Sequence, residues 1–185
     1  MSTIKVEKGT ILIAEPYMMD PNFKRSVVLI CAQENEGTTG FVINKPVQAR
    51  VDQMLEDFPE CNAPVLMGGP VSTDTLHYLH NVGDLLDDSL EVCPGVYWGG
   101  DFQKLKFLIE NKLIQDHNIR FFVGYAGWSE GQLVEELEEG SWVTSMMDAN
   151  YLFKTKPFVM WQKTLFDKGD RYTVIAQISD EAQLN

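Results

Sequence analysis

The stretch RFFVGYAGWSEGQLVEELEEG, Arg120 to Gly140, decides how the chain is read. Phe121, Phe122 and Val123 form an apolar run of strand length. Gly124, Gly127 and Gly131 then fall within eight residues, and Leu133, Val134 and Leu137 repeat at helical spacing. Ser129 followed three residues later by Gln132 has the form of a capping box, in which each side chain satisfies the other's backbone N–H. The expectation is strand, tight glycine loop, helix over about 132–139. Such a loop presents free N–H groups and a positive helix end to an anion.

Working outward, Thr10 to Ala14, Val27 to Cys31 and Gly40 to Ile43 are β-rich runs separated by turn residues. The second and third predict a hairpin whose loop is too long for the two-residue turn types. Three early strands without long helices between them favour antiparallel or mixed pairing. Val51, Met54, Leu55 and Phe58 mark one face of a short helix stopped by Pro59. Val65 to Val71 is a strand ending in a Gly-Gly-Pro turn, followed by strands over Thr75–His80 and Glu91–Trp98, the latter broken at Pro94-Gly95. Asp101 is placed to cap a helix over 102–115. Trp142 and Val143 precede a polar loop, and 148–153 is ambiguous. A helix is expected over 158–166, a strand over 171–178 and a polar tail over 179–185. With 185 residues, 44% of them hydrophobic, the chain reads as one α+β domain with a full core.

Composition narrows the function classes. There are 27 Asp+Glu against 15 Lys+Arg, a formal charge of −12, which disfavours direct binding to nucleic acid. Cys31, Cys61 and Cys93 form neither a CxxC pair nor an even disulfide set. No apolar run reaches the ~18 residues of a membrane span, and the first residues lack a signal-peptide core. The expectation is a cytoplasmic protein with no membrane association. His77 and His80 are three apart: on a strand they point to opposite faces and cannot share a metal, whereas on a helix they could. No metal site and no cofactor are expected.

Four blocks carry a resemblance: Asp20-Pro-Asn-Phe-Lys-Arg-Ser-Val-Val-Leu-Ile-Cys31, Gly40-Phe-Val-Ile-Asn-Lys-Pro46, Gly68-Gly-Pro-Val71 and Gly124-Tyr-Ala-Gly-Trp-Ser-Glu-Gly-Gln-Leu133. In this order they resemble the AlgH/YqgE family of bacterial proteins, over about 9–177. The resemblance implies an α+β fold with a bent, bifurcated, mostly antiparallel sheet closing into a pseudo-barrel. It brings no established activity. A transcriptional-regulator label attached to some members would imply an indirect role, since the chain lacks a DNA-binding motif.

The candidate site residues follow from these blocks. Gly127-Trp-Ser-Glu-Gly131 matches G-x-S-x-G, so Ser129 is a candidate nucleophile of a hydrolase. In the fold that uses this turn the histidine follows the serine, whereas His77, His80 and His117 all precede Ser129, and the capping reading accounts for Ser129 without chemistry. The favoured expectation is a non-enzymatic binding or regulatory protein that takes a small anionic ligand or a protein partner. Its candidate residues are Arg25, Asn44, Gly68, Gly69, Tyr125, Gly127, Trp128 and Gln132. Arg25 holds charge, loop N–H groups hold oxygen, and Tyr125 or Trp128 supplies apolar contact. The glycines have an alternative role in close backbone packing. Glu135, Glu136, Glu138 and Glu139 oppose the dipole at a helix end. They read as a solvated face or as a surface for a basic partner. Trp98, Trp128, Trp142 and Trp161 are expected as core and rim anchors.

Overall fold

The computed structural model describes residues 5–169 and 171–177. In chain order the elements are β1 (Thr10–Ala14), β2 (Val27–Glu34), β3 (Gly37–Val42), β4 (Pro46–Val47), α1 (Val51–Met54), β5 (Val65–Met67), β6 (Val71–His80), β7 (Leu90–Cys93), β8 (Val96–Trp98), α2 (Phe102–Glu110), β9 (Ile119–Ser129), α3 (Gln132–Glu138), β10 (Trp142–Met146), α4 (Ala149–Phe153), α5 (Pro157–Lys168) and α6 (Arg171–Ile175). The fold is α+β, with eight strands in the order β10-β1-β2-β3-β9-β6-β8-β7 and β4 and β5 attached beside β9. Every neighbour along that path is antiparallel; the β5–β9 pair is parallel.

The sheet forks at β9. Its first half pairs with β5 on one edge and β6 on the other, through Phe121–Val123 and Ile119–Val123 respectively. Its second half pairs with β3, Ala126 to Ser129 against Gly40 to Gly37. Gly124 stands between the halves at φ +68, a backbone angle costly for residues with a Cβ. One strand thereby serves two arms of a curled sheet.

Both faces of the inner strands are covered, which explains their unbroken apolar runs. Ile11 and Ile13 of β1 face a core shared with Leu152, Met160, Trp161 and Leu165 of α4 and α5. Leu12 and Ala14 face the other way, toward Leu133 and Leu137 of α3 and Trp128 and Trp142. The second arm packs Phe121 and Val65 against Leu105, Leu108 and Ile109 of α2.

Several sequence expectations are corrected. The span 124–129 is strand instead of loop, because β3 offers its edge to it. The 27–31/40–43 hairpin turns in two residues, Asn35 and Glu36, since pairing runs out to Glu34 and Gly37. The helix from Val51 stops at Met54, with Leu55 already extended, although Phe58 is still buried. α2 is capped by Asp101, whose carboxylate accepts from Lys104 N–H. It ends at Glu110, ahead of Lys112 at φ +60. Trp142 and Val143 begin a five-residue strand that completes the sheet beside β1, and Asp148 caps α4. The β-rich run from Arg171 is a short helix, α6. Gly169 ends α5 at φ +79, and Ala176 is buried in the core that α5 shares with β1; tertiary packing outweighs local β preference. Residues 178–185, including the end of that run and the polar tail, lie outside the described residues.

Candidate functional site

The Gly68–Pro70 turn and the glycines of β9 do meet in space. β5 and β6 lie on opposite edges of β9, so the three-residue link between them crosses the β9 backbone. Gly68 N–H donates to Val123 O at 2.9 Å and Gly68 O accepts from Val42 N–H at 2.8 Å. A Cβ on Gly69 would lie 2.2 Å from the Tyr125 carbonyl, one on Gly68 2.4 Å from Gly124 O, and one on Gly124 2.5 Å from Gly69 O. Gly68, Gly69 and Gly124 are buried. These glycines are filled by backbone and present no open cradle of N–H groups. Gly127 differs: it is exposed, and a Cβ there would make ordinary contact with the Tyr125 ring at 3.4 Å.

At the end of β9 the helix α3 is capped by Gly131 at φ +80, without a side-chain bond. Half of the expected capping box forms: Gln132 Oε1 accepts from Ser129 N–H at 3.1 Å, and also from Ser129 Oγ at 3.3 Å. Trp128 is buried. Its indole N–H and that of Trp142 both donate to Glu136 Oε2, at 2.9 and 2.8 Å, while Gln132 Nε2 donates to Oε1 at 3.1 Å. Glu136 is therefore an internal acceptor, and Glu135, Glu138 and Glu139 alone make up the exposed acidic face.

No histidine among the described residues hydrogen-bonds Ser129. The Ser–His contact that does form joins Ser89 Oγ to His80 Nε2 at 3.1 Å. His80 is fully buried. Its Nδ1 accepts from Val82 N–H at 3.3 Å, which places the proton on Nε2, and that nitrogen lies 2.8 Å from Gly99 O. A ring so protonated cannot take a serine proton, and burial pushes its pKa down. His77, three residues along β6, faces the opposite side against Phe41 and Tyr125. Among the described residues no three His, Cys, Asp or Glu side chains gather as metal ligands.

Arg25 and Asn44 stand at another place. They sit at the same end of the β2–β3 hairpin, one before β2 and one after β3. Asn44, 8% exposed, clamps the turn: its Oδ1 accepts from Val27 N–H at 2.9 Å and its Nδ2 donates to Arg25 O at 2.9 Å. Held this way, Arg25 adopts φ +53, a left-handed angle unusual for a long side chain. Its guanidinium lies 4.0 Å from the centroid of Trp161. Lys45 Nζ donates to Lys24 O at 2.6 Å. Lys24, Arg25, Lys45, Phe158, Trp161 and Gln162 border a cavity of about 450 Å³ against the start of α5. Tyr125, Gly127 and Trp128 line a different groove of about 1020 Å³, with Trp98 in it and Glu7, Glu34 and Glu36 on its walls. The eight expected ligand residues thus divide among two cavities, a packed crossing and, for Gln132, the start of α3. Lys24, Lys45 and Gln162 were not singled out by sequence. The available signal was position: residues immediately before one strand of a hairpin and after the other share an end.

The AlgH-like family model matches residues 11–173. The chain belongs to the AlgH-like family. A UPF0301 protein of Chlorobaculum parvum is 42% identical over 180 residues, 97% of this chain and 96% of that protein. One from Cytophaga hutchinsonii is 39% identical over 179 residues, 96% of this chain and 98% of that protein. The solution structure of AlgH from Pseudomonas aeruginosa superposes with a TM-score of 0.73 at 28% identity, covering 93% of this chain and 94% of AlgH. A crystal structure from Corynebacterium diphtheriae gives 0.79 at 20% identity, covering 96% and 95%, and speaks to fold alone. The α+β fold with its curled antiparallel sheet matches that of the AlgH structure. No described helix is long and apolar enough to cross a membrane.

Proposed function

We propose that this AlgH-like protein is a non-enzymatic binding protein that takes a small anionic ligand in the cavity bordered by Lys24, Arg25 and Lys45. The observation that carries this is a charge inversion. In a chain of net charge −12, three cationic side chains converge on one cavity, and no Asp or Glu lines it among the described residues. The buried Asn44 holds Arg25 in a strained backbone angle, the kind of local cost that folds retain where a side chain must be aimed. The Trp161 face beneath the planar guanidinium keeps it oriented for a carboxylate or phosphate.

The test is a thermal-shift and calorimetric titration with inorganic phosphate and simple carboxylates. An anion at 100 times its Kd adds about 2.7 kcal/mol, a rise of roughly 5–11 °C for a chain of this size. Arg25→Ala should remove the shift. A shift that survives both Arg25→Ala and Lys45→Ala would place the anion elsewhere and end the reading.

A second reading rests on Glu135, Glu138 and Glu139. These carboxylates are exposed on the last turns of α3, without a basic residue in its last turn. A basic protein partner would relieve their mutual repulsion. Charge reversal at all three should abolish such a complex while leaving anion binding unchanged.

A further inference from the structure

We propose that the anion cavity is one half of a site for a nucleotide bearing two or more phosphoryl groups; this rests on the anion-binding reading above and specifies its ligand. A second cavity, of about 210 Å³, lies on the other side of Pro157, and Pro157 lines both. It is bordered by Arg120, Lys154 and Lys156 over an apolar floor of Ile43, Leu66 and Met160. The two cavities together are lined by six of the chain's 15 Lys+Arg and, among the described residues, by none of its 27 Asp+Glu. Charge so segregated in an acidic protein marks a polyanion, and its division into two threes marks more than one anionic group.

Arg120 shows that the second cavity is built. It is half-buried, and its guanidinium donates to the carbonyls of Asp116, Ile119 and Phe153 at 3.2, 2.9 and 3.1 Å. Those carbonyl dipoles and the Phe153 ring, 5.6 Å away, hold a charge that no carboxylate neutralises among the described residues, and desolvation lowers its pKa. A phosphoryl oxygen entering there meets an oriented cation.

Phe158 supplies the planar contact. It is 80% exposed although it lies on the first turn of a 12-residue helix, and it borders the Arg25 cavity with Lys156 Nζ 6.0 Å from its ring. A bare aromatic face bordering the Arg25 cavity, with Lys156 beside it, is a stacking platform for a base. Gln162, one turn further along α5 and lining the same cavity, is placed to read that base's polar edge. α5 also starts without a side-chain cap bond, at Lys156. A nucleic-acid strand fits less well: outside these cavities the chain carries 27 Asp+Glu against nine Lys+Arg, a balance unfavourable to a long polyanion.

The probes are inorganic phosphate, AMP, ATP and a single-stranded oligonucleotide, titrated calorimetrically. ATP should bind at least about tenfold more tightly than AMP or phosphate. Phe158→Ala should weaken ATP by roughly 5- to 150-fold, the range of one base–aromatic stack, and leave phosphate unchanged. The Lys154→Ala/Lys156→Ala pair should weaken ATP about tenfold or more, again without touching phosphate. All three side chains are exposed, so the variants keep the fold. Phosphate binding lost in Arg25→Ala, combined with ATP no tighter than phosphate, overturns the nucleotide proposal and leaves the anion reading standing. No binding of any probe overturns the nucleotide proposal, and a blank with simple carboxylates as well ends the anion reading. An oligonucleotide bound more tightly than ATP assigns the face to a nucleic-acid strand and overturns the proposal.

Discussion

The Gly68–Pro70 crossing and the Arg25 cavity both lie in segments rich in turn residues, yet only one of them leaves room for a guest. At the crossing three glycines let two backbones pass within van der Waals contact, and every face they free is occupied by a carbonyl. At the hairpin end a buried asparagine spends its hydrogen bonds on backbone, and the result is an open, cationic hollow. Glycine frequency therefore reports how closely chains approach, and says nothing of what binds there. Convergent charge reports a site only once topology has brought its members together.

The largest expected effect breaks this comparison if it fails. Gly69→Ala places a methyl 2.2 Å from the Tyr125 carbonyl at φ +155, and should cost about 3 kcal/mol or more, a Tm loss of roughly 6–12 °C or failure to fold. Gly127→Ala, with its Cβ in ordinary contact, should stay within about 0.5 kcal/mol. Equal effects at the two positions would show that the crossing does not set the fold. Next, Glu136→Leu strips the shared acceptor from two indole N–H groups and should cost about 2 kcal/mol, while Glu135→Ala should change Tm by no more than a degree or two. Thermal melts of the pair separate the internal carboxylate from the exposed face.

A smaller effect concerns pH. Burial holds His80 neutral in the folded protein, below the ordinary value of about 6.5. The unfolded chain takes up the proton first as pH falls, so this contribution is full above about pH 6.5 and is lost below it toward the folded pKa. Half-buried His77 shifts in the same direction. Between pH 7.5 and 5.5 the Tm should fall by a few degrees, and less in His80→Gln; an unchanged slope in that variant would remove His80 from the account. The finest distinction is at Arg25. Arg25→Gly relieves φ +53 where Arg25→Ala does not, so the glycine variant should be about 1 kcal/mol the more stable of the two, with anion binding lost in both.

Most of the strands were legible because buried strands leave unbroken apolar runs, and the Asp101 cap because capping is local chemistry. The reading failed where neighbours decide. Gly124 to Ser129 looks like a loop by glycine content and is a strand because β3 docks on it; Arg171 to Ile175 looks like a strand and is a helix because packing against α5 buries Ala176. Ser129 has the spacing of a helix cap, and the cap is Gly131 two residues on.

By itself the sequence determined the class of fold, the turn at which Arg25 stands and the placement of two histidines on opposite faces of one strand, since these follow from periodicities of two and 3.6 residues and from φ preferences. Only the tertiary structure decided that Tyr125 and Trp128 look into one groove and Arg25 into another cavity, that Glu136 is internal, and that Lys24, Lys45, Lys154 and Lys156 gather around one proline. Those are distances between residues far apart in the chain. They are set by which strand edge pairs with which, and local propensity carries no record of them.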